Sequence, residues 1–402
     1  MKTLFLTVTG NPEANLESTR ALLAQNTQFT KIALISTDKM RADGNTALLE
    51  KSISALCDLE IEVIDLMDGI EDSDMFAVQN ILQQWIDQQQ QSTKFLFNIT
   101  GGTKLQSIAQ DRLSHQLTRS RAECFYQNRK QKIVWYQRHN DHVLYDISGQ
   151  LSLEQRLSSR GYQIVESQRI QERINDLRYA QLLIDVMKQD FHTGRRFCSF
   201  LNKIAAMIDS SKSLSTVMHG IDNDTREGLT ILSDLTEQQY FQFDPSTCKI
   251  TIADEEALKF IKGGWLEVYA GYECFNALNL LSNNAELAIN VEFQKDCTNN
   301  EMDIMFTHHG HLYSIECKTE KYFINNQQSN QQYKDKNKST NILYKLASLH
   351  ETGGLNHYQA VFSLYALPEH NLTRAKNAGI RIFQEKDLLN LSQLVYDWLK
   401  LE

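Results

Sequence analysis

The sequence predicts an α/β protein in three parts: a domain with a parallel sheet, a mainly helical connector and a second α/β domain. Strand-like apolar runs alternate with helical stretches over the first 150 residues, which is typical of a parallel sheet covered on both faces. From about 165 to 250 the apolar residues follow helical spacing, and strands and helices then alternate to the end. At 402 residues the chain exceeds one ordinary core, so we expect domains at 1–150, 151–253 and 254–402.

The N-terminal domain is expected to be Rossmann-like, because its short buried strands are separated by segments with helical spacing. That spacing is clearest over Leu16–Leu23 and Leu105–Leu117. The predicted strands are Leu4–Thr9, Lys31–Ser36, Ile61–Leu66, Phe95–Ile99, Cys124–Tyr126 and Ile133–Tyr136.

The connector is predicted to contain helices and one small hairpin. Leu177–Met187 and Phe197–Ile208 carry apolar residues at helical spacing. Gln239–Phe243 and Lys249–Ile252 then flank the turn Asp244–Pro245, which favours a hairpin. Helices followed by a small hairpin indicate a winged-helix-like connector. A helical linker that makes no contact with DNA fits the same pattern equally well.

The C-terminal domain opens with a helical segment, Glu255–Tyr269, which a glycine pair at Gly263–Gly264 interrupts. A strand pair is expected at about 301–318. The stretch Asn325–Lys338 consists of polar residues that cannot build a core, so it is predicted to be a mobile loop. Further strands are predicted at Tyr358–Leu364 and Ile380–Phe383.

The composition limits the class of protein without identifying its function. The formal net charge is −9, from 41 basic and 50 acidic residues, which argues against coating of duplex DNA by the whole surface but leaves room for a local basic groove. No run of about 18 apolar residues occurs, and the first residues lack the pattern of a signal peptide. Seven cysteines without a Cys-x-x-Cys pair indicate neither a disulfide framework nor a zinc ribbon. We therefore expect a cytoplasmic protein without a membrane partner.

A candidate catalytic hairpin lies within Asn300–Thr319, which reads N-E-M-D-I-M-F-T-H-H-G-H-L-Y-S-I-E-C-K-T. If His309–Gly310 form a two-residue loop, Asp303 lies opposite Glu316. The alternation of side chains along a strand puts Lys318 on that same side. The other side then carries the apolar residues Ile304, Phe306, Tyr313, Ile315 and Cys317.

Two opposed carboxylates destabilise a strand pair unless a cation neutralises them. Oxygen ligands of this kind suit Mg²⁺ or Mn²⁺, which can polarise a phosphate and lower the pKa of a bound water. Lys318 would position that water or stabilise the developing charge. The short motif leaves open an exposed hairpin whose Asp303 and Glu316 are merely solvated.

A candidate phosphate-binding turn lies in Phe95–Lys104, which reads F-L-F-N-I-T-G-G-T-K and precedes a predicted helix. The pair Gly101–Gly102 at a helix N-terminus lets backbone N–H groups approach a phosphate. Lys104 adds positive charge, and Thr100 and Thr103 add hydroxyl donors. The segment matches neither the P-loop nor the G-x-G-x-x-G pattern. A tight strand–helix turn with a capping threonine stays open as the alternative.

The C-terminal part resembles the PD-(D/E)xK nuclease superfamily, in which a helical acid precedes the strand pair. Gly263–Ala270 reads G-G-W-L-E-V-Y-A, with Glu267 as that acid. The segments N-E-x-D, I-E-C-K-T and L-Y-K-L at Leu343–Leu346 are similar to those of the ring-nucleotide-activated effector nucleases of type III CRISPR immunity. The resemblance implies a restriction-endonuclease-like domain. It also implies that Glu267, Asp303 and Glu316 are metal-site acids, that Lys318 is the catalytic lysine and that Lys345 assists them; a surface role for Lys345 is equally open.

The N-terminal part resembles the CARF domain, which binds cyclic oligoadenylate as a homodimer with the ring across the twofold axis. The resemblance depends on N-x-T-G-G-T-K after the fourth predicted strand and on Thr9–Gly10–Asn11 after the first. The loop with Thr37 after the second strand occupies a matching position. The resemblance implies an activator site formed by Thr9, Gly10, Asn11, Thr37, Thr100, Gly101, Gly102, Thr103 and Lys104.

Together these features predict a metal-dependent nuclease, and the resemblance implies an allosteric endonuclease that cyclic tetra-adenylate activates and that cleaves single-stranded RNA and DNA. Mn²⁺ or Mg²⁺ would be its cofactor. Two alternatives stay open from the sequence. One is a restriction- or repair-type nuclease that acts on duplex DNA through a winged-helix connector, and the other is a nucleotide-sensing, non-catalytic regulator that binds DNA.

Overall fold

The computed structural model of the chain contains two large sheets and one small sheet. It describes residues 1–25, 29–66, 69–117, 121–128, 132–136, 142–146, 151–211, 213–235, 240–281, 286–321 and 331–401. Within these ranges, no helix has both the length and the apolar character that crossing a bilayer requires.

The N-terminal sheet has the order β3-β2-β1-β4-β5-β6-β7. The strands from β3 to β5 are parallel, and β6 and β7 are antiparallel additions at one edge. The strands are Lys2–Thr7 (β1), Lys31–Thr37 (β2), Glu60–Leu66 (β3), Lys94–Asn98 (β4), Ala122–Gln127 (β5), Lys132–Tyr136 (β6) and His142–Asp146 (β7). The helices are Glu13–Ala24 (α1), Asp38–Ala42 (α2), Asn45–Ser54 (α3), Ile70–Ser73 (α4), Met75–Asp87 (α5) and Lys104–Gln116 (α6).

Both faces of this sheet are buried, which explains why its strands have continuous apolar sequences. Leu4 and Leu6 of β1 pack with α1 and α3 on one face. Phe5, between them, packs with α5 and α6 on the other face. The Rossmann-like architecture expected from the sequence is thereby confirmed.

The middle of the chain contains helices, a three-stranded sheet and one strand of the C-terminal sheet. The three-stranded sheet has the order β10-β11-β9, and its hairpin occurs where the sequence predicts one. The elements are Leu153–Ser158 (α7), Gln163–Arg169 (β8), Ile174–Gln189 (α8), Phe191–Ser211 (α9), Ser215–Val217 (β9), Asn223–Leu235 (α10), Phe241–Asp244 (β10) and Lys249–Ile252 (β11). A 3₁₀ turn, Ile170–Arg173, joins β8 to α8.

The C-terminal sheet has the order β16-β15-β14-β13-β12-β8 and is mixed. It is parallel from β14 to β16 and antiparallel from β14 to β8. Its elements are Glu255–Lys259 (α11), Trp265–Leu281 (α12), Leu287–Lys295 (β12), Thr298–His308 (β13), His311–Lys318 (β14), Gln331–Leu349 (α13), His357–Ser363 (β15), Glu369–Asn377 (α14), Ile380–Gln384 (β16) and Leu391–Leu401 (α15).

The loop predicted over Asn325–Lys338 is wrong from Gln331 onward, where α13 begins. Residues 325–330 lie outside the described residues. Glutamine and lysine have good helix propensities, and a helix does not need a core along its whole length. The later part of α13 is anchored because Leu343 and Leu346 are buried against the sheet, and the helix extends from there toward its polar start.

Candidate functional site

The candidate catalytic hairpin has the register that the sequence predicts. His309 and Gly310 both have positive φ, 47° and 75°, as a two-residue turn between twisted strands requires. Ile304 pairs with Ile315 and His308 with His311. The predicted apolar face is buried in one core beneath α12 and α15.

On the opposite side of the hairpin, Asp303 and Glu316 lie close to two lysines. Lys318 Nζ is 2.7 Å from Glu316 Oε1 and 3.7 Å from Asp303 Oδ2. Lys345, on α13, donates to both oxygens of Glu316. Asp303 and Glu316 are only 7% and 4% exposed, and Asp303 Oδ2 also accepts a hydrogen bond from the backbone N–H of Cys317 at 2.5 Å. The interpretation of a merely solvated hairpin is therefore wrong.

Glu267 reaches the same site because the chain turns sharply just before α12. Phe260–Gly264 forms a π-helical turn in which Gly263 has a φ of 156°. A Cβ atom on Gly263 would lie 2.9 Å from Thr319 Oγ1, just after β14. A glycine is needed at this position for the close approach, which brings the first turn of α12 next to the end of the hairpin.

These side chains line a cleft of about 620 Å³. All five residues predicted for the nuclease site line it: Glu267, Asp303, Glu316, Lys318 and Lys345. The sequence prediction did not include several further charged residues of the cleft. These are Glu166, Arg173, Glu256, Lys259, Lys262, Glu292 and Glu301. Glu301 could have been found as the glutamate of N-E-x-D, whereas Glu166 and Arg173 come from β8 and the turn after it, which have no apolar signal.

Burial and mutual repulsion shift the pKa values of the site acids upward. Burial raises the pKa of Asp303 well above its usual value; Glu316 raises it further, against the opposing effect of Lys318. Burial also raises the pKa of Glu267. Lys318 opposes this increase, and Glu301 adds to it. Burial lowers the pKa of Lys318, but Asp303 and Glu316 outweigh this and raise it above its usual range. The cleft therefore favours added positive charge, and Lys318 is protonated.

The donor chemistry of the three acids fits a hard divalent cation, because carboxylate oxygens are its preferred ligands and the raised pKa values show a need for a counter-charge. Among the residues that the structure describes, however, no group of three or more His, Cys, Asp or Glu side chains is arranged to hold a metal ion. Lys318 and Lys345 instead provide the positive charge beside Glu316.

The predicted activator residues lie at the carboxyl edge of the N-terminal sheet. β1 and β4 are parallel neighbours. β2 and β3 follow on the β1 side of this pair and β5 follows on the β4 side, so the strand order reverses between β1 and β4. Such a switch point leaves a crevice where ligands bind in open α/β sheets. The loops Thr9–Asn11 and Thr100–Thr103 flank it, and a Cβ on Gly101 would touch Thr9 Cγ2 at 3.3 Å.

Several of the hydroxyl groups predicted to bind the activator form hydrogen bonds with the backbone and so stabilise the loops in which they lie. Thr9 Oγ1 accepts a hydrogen bond from Asn11 N–H, and Thr100 Oγ1 accepts one from Gln127 N–H. Thr103 caps α6 in a capping box with Gln106. The capping-turn interpretation is thus correct for Thr103 and is compatible with ligand binding at the same edge.

The other predicted activator residues differ in their accessibility. Thr37 is buried and caps α2, accepting from Met40 N–H. Gly102 has a φ of 88° and requires glycine. Gly10 and Lys104 are exposed, and a Cβ on Gly10 would meet no atom within 4 Å. Gly10 and Lys104 are therefore accessible positions at which this edge can be tested.

Comparisons with known proteins match both ends of the chain. The family model of the Card1 CARF domain matches residues 14–156, and the model of the Card1-like endonuclease domain matches residues 254–402. No protein with a curated functional description matches the chain.

Two solved structures share the fold over almost the whole length. The protein VC1899 from Vibrio cholerae is 16% identical, with a TM-score of 0.77, and the alignment covers 99% of this chain and 98% of that one. Can2 from Sulfobacillus thermosulfidooxidans, solved in complex with cyclic tetra-adenylate, is 19% identical with a TM-score of 0.69, covering 99% and 97%. At these identities the likeness is one of fold.

Proposed function

Since the chain belongs to the CARF-domain nucleases of type III CRISPR immunity, with a Card1-type CARF domain and a Card1-like endonuclease domain, we propose that a cyclic oligoadenylate switches on its cleavage of nucleic acids. The observation that carries this proposal is the single cleft lined by Glu267, Asp303, Glu316 and Lys318. Acids and a protonated lysine in one cleft suit phosphodiester hydrolysis.

The activator is cyclic tetra-adenylate, bound at the switch point between β1 and β4. The complex of Can2 with this ring supports the choice. The edge itself offers the N-terminus of α6 and the exposed Lys104, which suit phosphate groups. A ring with twofold symmetry suits two identical subunits, so the protein acts as a homodimer. Light scattering that reports a monomer with and without the ring would contradict this.

Glu267, Asp303 and Glu316 would hold the divalent cation, Mn²⁺ or Mg²⁺. When bound, such a cation polarises the scissile phosphate and lowers the pKa of water. Lys318 stays protonated because Asp303 and Glu316 raise its pKa. It therefore acts as a hydrogen-bond donor that stabilises charge on the phosphate rather than as a base. Lys345 binds Glu316 and orients that carboxylate.

The substrate is single-stranded RNA or DNA. Both acidic and basic side chains line the cleft, among them Glu166, Glu292, Glu301, Arg173, Lys259 and Lys262. A mixed lining and a net charge of −9 suit a narrow channel for one strand better than a broad surface for duplex DNA.

One cleavage assay tests this function. Purified full-length protein with Mn²⁺ is mixed with labelled single- and double-stranded RNA and DNA, with no activator or with cyclic rings of three, four or six adenylates. We expect cleavage of single strands only with the four-membered ring, and none with a Lys318→Ala variant purified in parallel. Activator-independent cutting of duplex DNA would instead favour a restriction- or repair-type enzyme. Intact nucleic acids under every condition would favour a non-catalytic regulator.

A further inference from the structure

A buried arginine joins the N-terminal domain to the tip of the catalytic hairpin. Arg156 on α7 is 1% exposed, and Glu17 on α1 is 2% exposed. Arg156 Nη2 donates to Glu17 Oε1 and, at 2.6 Å, to the backbone carbonyl of Gly310. Gly310 is the second residue of the turn between β13 and β14. One guanidinium nitrogen therefore contacts both the sensor domain and the hairpin that carries Asp303 and Glu316.

This contact is part of a continuous polar seam along one face of α1. Positions 13, 17 and 20 are three and four residues apart, so they share one face of the helix. Glu13 pairs with Arg160, Glu17 with Arg156, and Arg20 donates to Gln155. The whole seam faces the short segment 155–160, which leads into β8 of the C-terminal sheet. A movement of α1 is therefore passed on through polar contacts, two of which are ion pairs.

Two links connect the seam to the activator edge. Glu17 accepts a hydrogen bond from the Gln127 side chain, and the backbone N–H of Gln127 donates to Thr100 Oγ1. Arg160 donates to Asn11, in the loop after β1. The loop after β1 thus reaches the segment 155–160 through one hydrogen bond, and the loop with Thr100 reaches it through three, by way of Gln127 and Glu17.

The geometry of the hairpin converts a shift at its tip into a shift at the acids. β13 and β14 are joined by regular antiparallel pairing from His308 back to Ile304. Asp303 is five positions from His308, the last residue of β13, or roughly 16 Å along the strand at about 3.3 Å per residue. β13 and β14 also pair with β12 and β15, so a rotation of the tip moves this part of the sheet and changes where Asp303 and Glu316 lie relative to Glu267 on α12.

We infer that Arg156 is a positioning residue that couples the activator site to the catalytic hairpin through its simultaneous contacts with Glu17 and the Gly310 carbonyl. This inference rests on the proposed function. Arg156 Nε is buried and has no hydrogen-bond partner among the described residues. The guanidinium thus keeps a spare donor, which a second arrangement of α1 and the hairpin can use. Allosteric coupling needs such a pair of arrangements.

The test uses two conservative substitutions, because deleting Arg156 would strand the buried Glu17 carboxylate. Arg156→Lys keeps the charge but loses the planar fork, and Glu17→Gln keeps the shape but loses the charge. Cleavage of single-stranded substrate is measured with and without saturating cyclic tetra-adenylate. We expect the ratio of activated to basal rate to fall at least tenfold in both variants, while affinity for the ring stays within about threefold. The activation ratio of the double variant should be no lower than that of the more impaired single variant.

A reciprocal measurement separates coupling from mere structural damage. In the parent, a non-cleavable single-stranded substrate should change the affinity for cyclic tetra-adenylate, because linkage works in both directions. In Arg156→Lys this effect should vanish. Arg195→Lys is the matched control, since Arg195 also bridges to the C-terminal domain, at Glu385, without contacting the hairpin. It should keep the parental activation ratio.

The outcomes distinguish this inference from the proposed function. If no cyclic oligoadenylate activates the parent, the proposed function fails. If the parent is activated and both folded variants keep its activation ratio, only the role of Arg156 is overturned. Should both variants unfold, hydrogen exchange of the parent decides: the ring must alter exchange at residues 308–312, and unchanged exchange there rejects the coupling.

Discussion

Lys345 on α13 donates to both carboxylate oxygens of Glu316, at 2.9 and 3.1 Å. Lys318 approaches the same carboxylate from its own strand at 2.7 Å. Glu316 is therefore held by two cations in the structure, although its neighbours Asp303 and Glu267 have raised pKa values. A divalent cation that binds Glu316 competes with these lysines for the same oxygens.

This competition predicts that Lys345→Met tightens metal binding. The substitution nearly keeps the length of the side chain and removes the charge-assisted interaction of Lys345 with Glu316, worth about 1.5–3 kcal/mol. We expect the affinity for Mn²⁺, measured by calorimetry, to rise about tenfold. Lys376→Met, at an exposed position on α14, is the charge-matched control and should leave the affinity unchanged. Weaker Mn²⁺ binding in Lys345→Met would refute the competition.

Substitutions within the hairpin should separate metal binding from chemistry. Glu316→Gln and Asp303→Asn remove charge without changing shape, and the amide oxygen of Asn can still accept from Cys317 N–H. Both should bind Mn²⁺ weakly and lose cleavage. Lys318→Ala leaves the acids in place, so it should retain Mn²⁺ while kcat falls at least about a hundredfold. Calorimetry and single-strand cleavage at saturating activator measure the two effects. If Asp303→Asn cleaves at the rate of the parent, the assignment as a nuclease is wrong.

The hairpin was predictable from the sequence because its information is local. His309–Gly310 fixes the turn, and the period of two then determines every opposed pair, including Asp303 with Glu316. Likewise, the glycine pair before Glu267 marks the close approach to Thr319. The buried strands of the N-terminal sheet were predictable for the same reason, since burial on both faces leaves a continuous apolar run.

Long-range features could not be read from the sequence. β8 is an edge strand whose side chains are mostly exposed, so it lacks apolar alternation, and its pairing with β12 spans more than a hundred residues. Arg156 sits in a short amphipathic segment that looks like solvated helix surface in the sequence. Only the packing of α7 between α1 and the hairpin turn shows that its charge is buried.

At the activator edge, Gly10→Val is expected to block ligand binding without disturbing the fold. A Cβ on Gly10 meets no protein atom within 4 Å, so added bulk projects into the space above the switch point. Lys104→Ala removes one charge at the same edge and should weaken binding of cyclic tetra-adenylate by about 1.5–3 kcal/mol. Lys94→Ala, an exposed lysine at the other end of β4, is its control. Unchanged affinity in both Gly10→Val and Lys104→Ala would exclude this edge as the site.

The histidines around the hairpin tip make stability depend on pH. Burial lowers the pKa of His308 to about 4, with a further contribution from His309 and His311. Burial also lowers the pKa of His357 to about 4; the His350 carbonyl opposes this, and His350 itself and Arg156 add to it. His357 Nε2 lies 2.7 Å from Ser314 Oγ, and its Nδ1 lies 2.9 Å from the His350 carbonyl. These rings are therefore neutral at physiological pH.

The direction of this pH effect on stability follows from the difference in proton uptake between the folded and unfolded chains. Between pH 6.5 and about 4 the unfolded chain binds a proton at His357 and the folded chain does not, so stability is full above pH 6.5 and is lost as the pH falls toward 4. A shift of this size corresponds to roughly 3 kcal/mol. His357→Gln cannot titrate, so the difference in unfolding free energy between parent and variant, measured in urea, should shrink by that amount from pH 7 to pH 4. Contributions of Asp303 and Glu267 cancel in this difference. If this difference in unfolding free energy stays constant or increases as the pH falls, His357 is protonated in the folded protein.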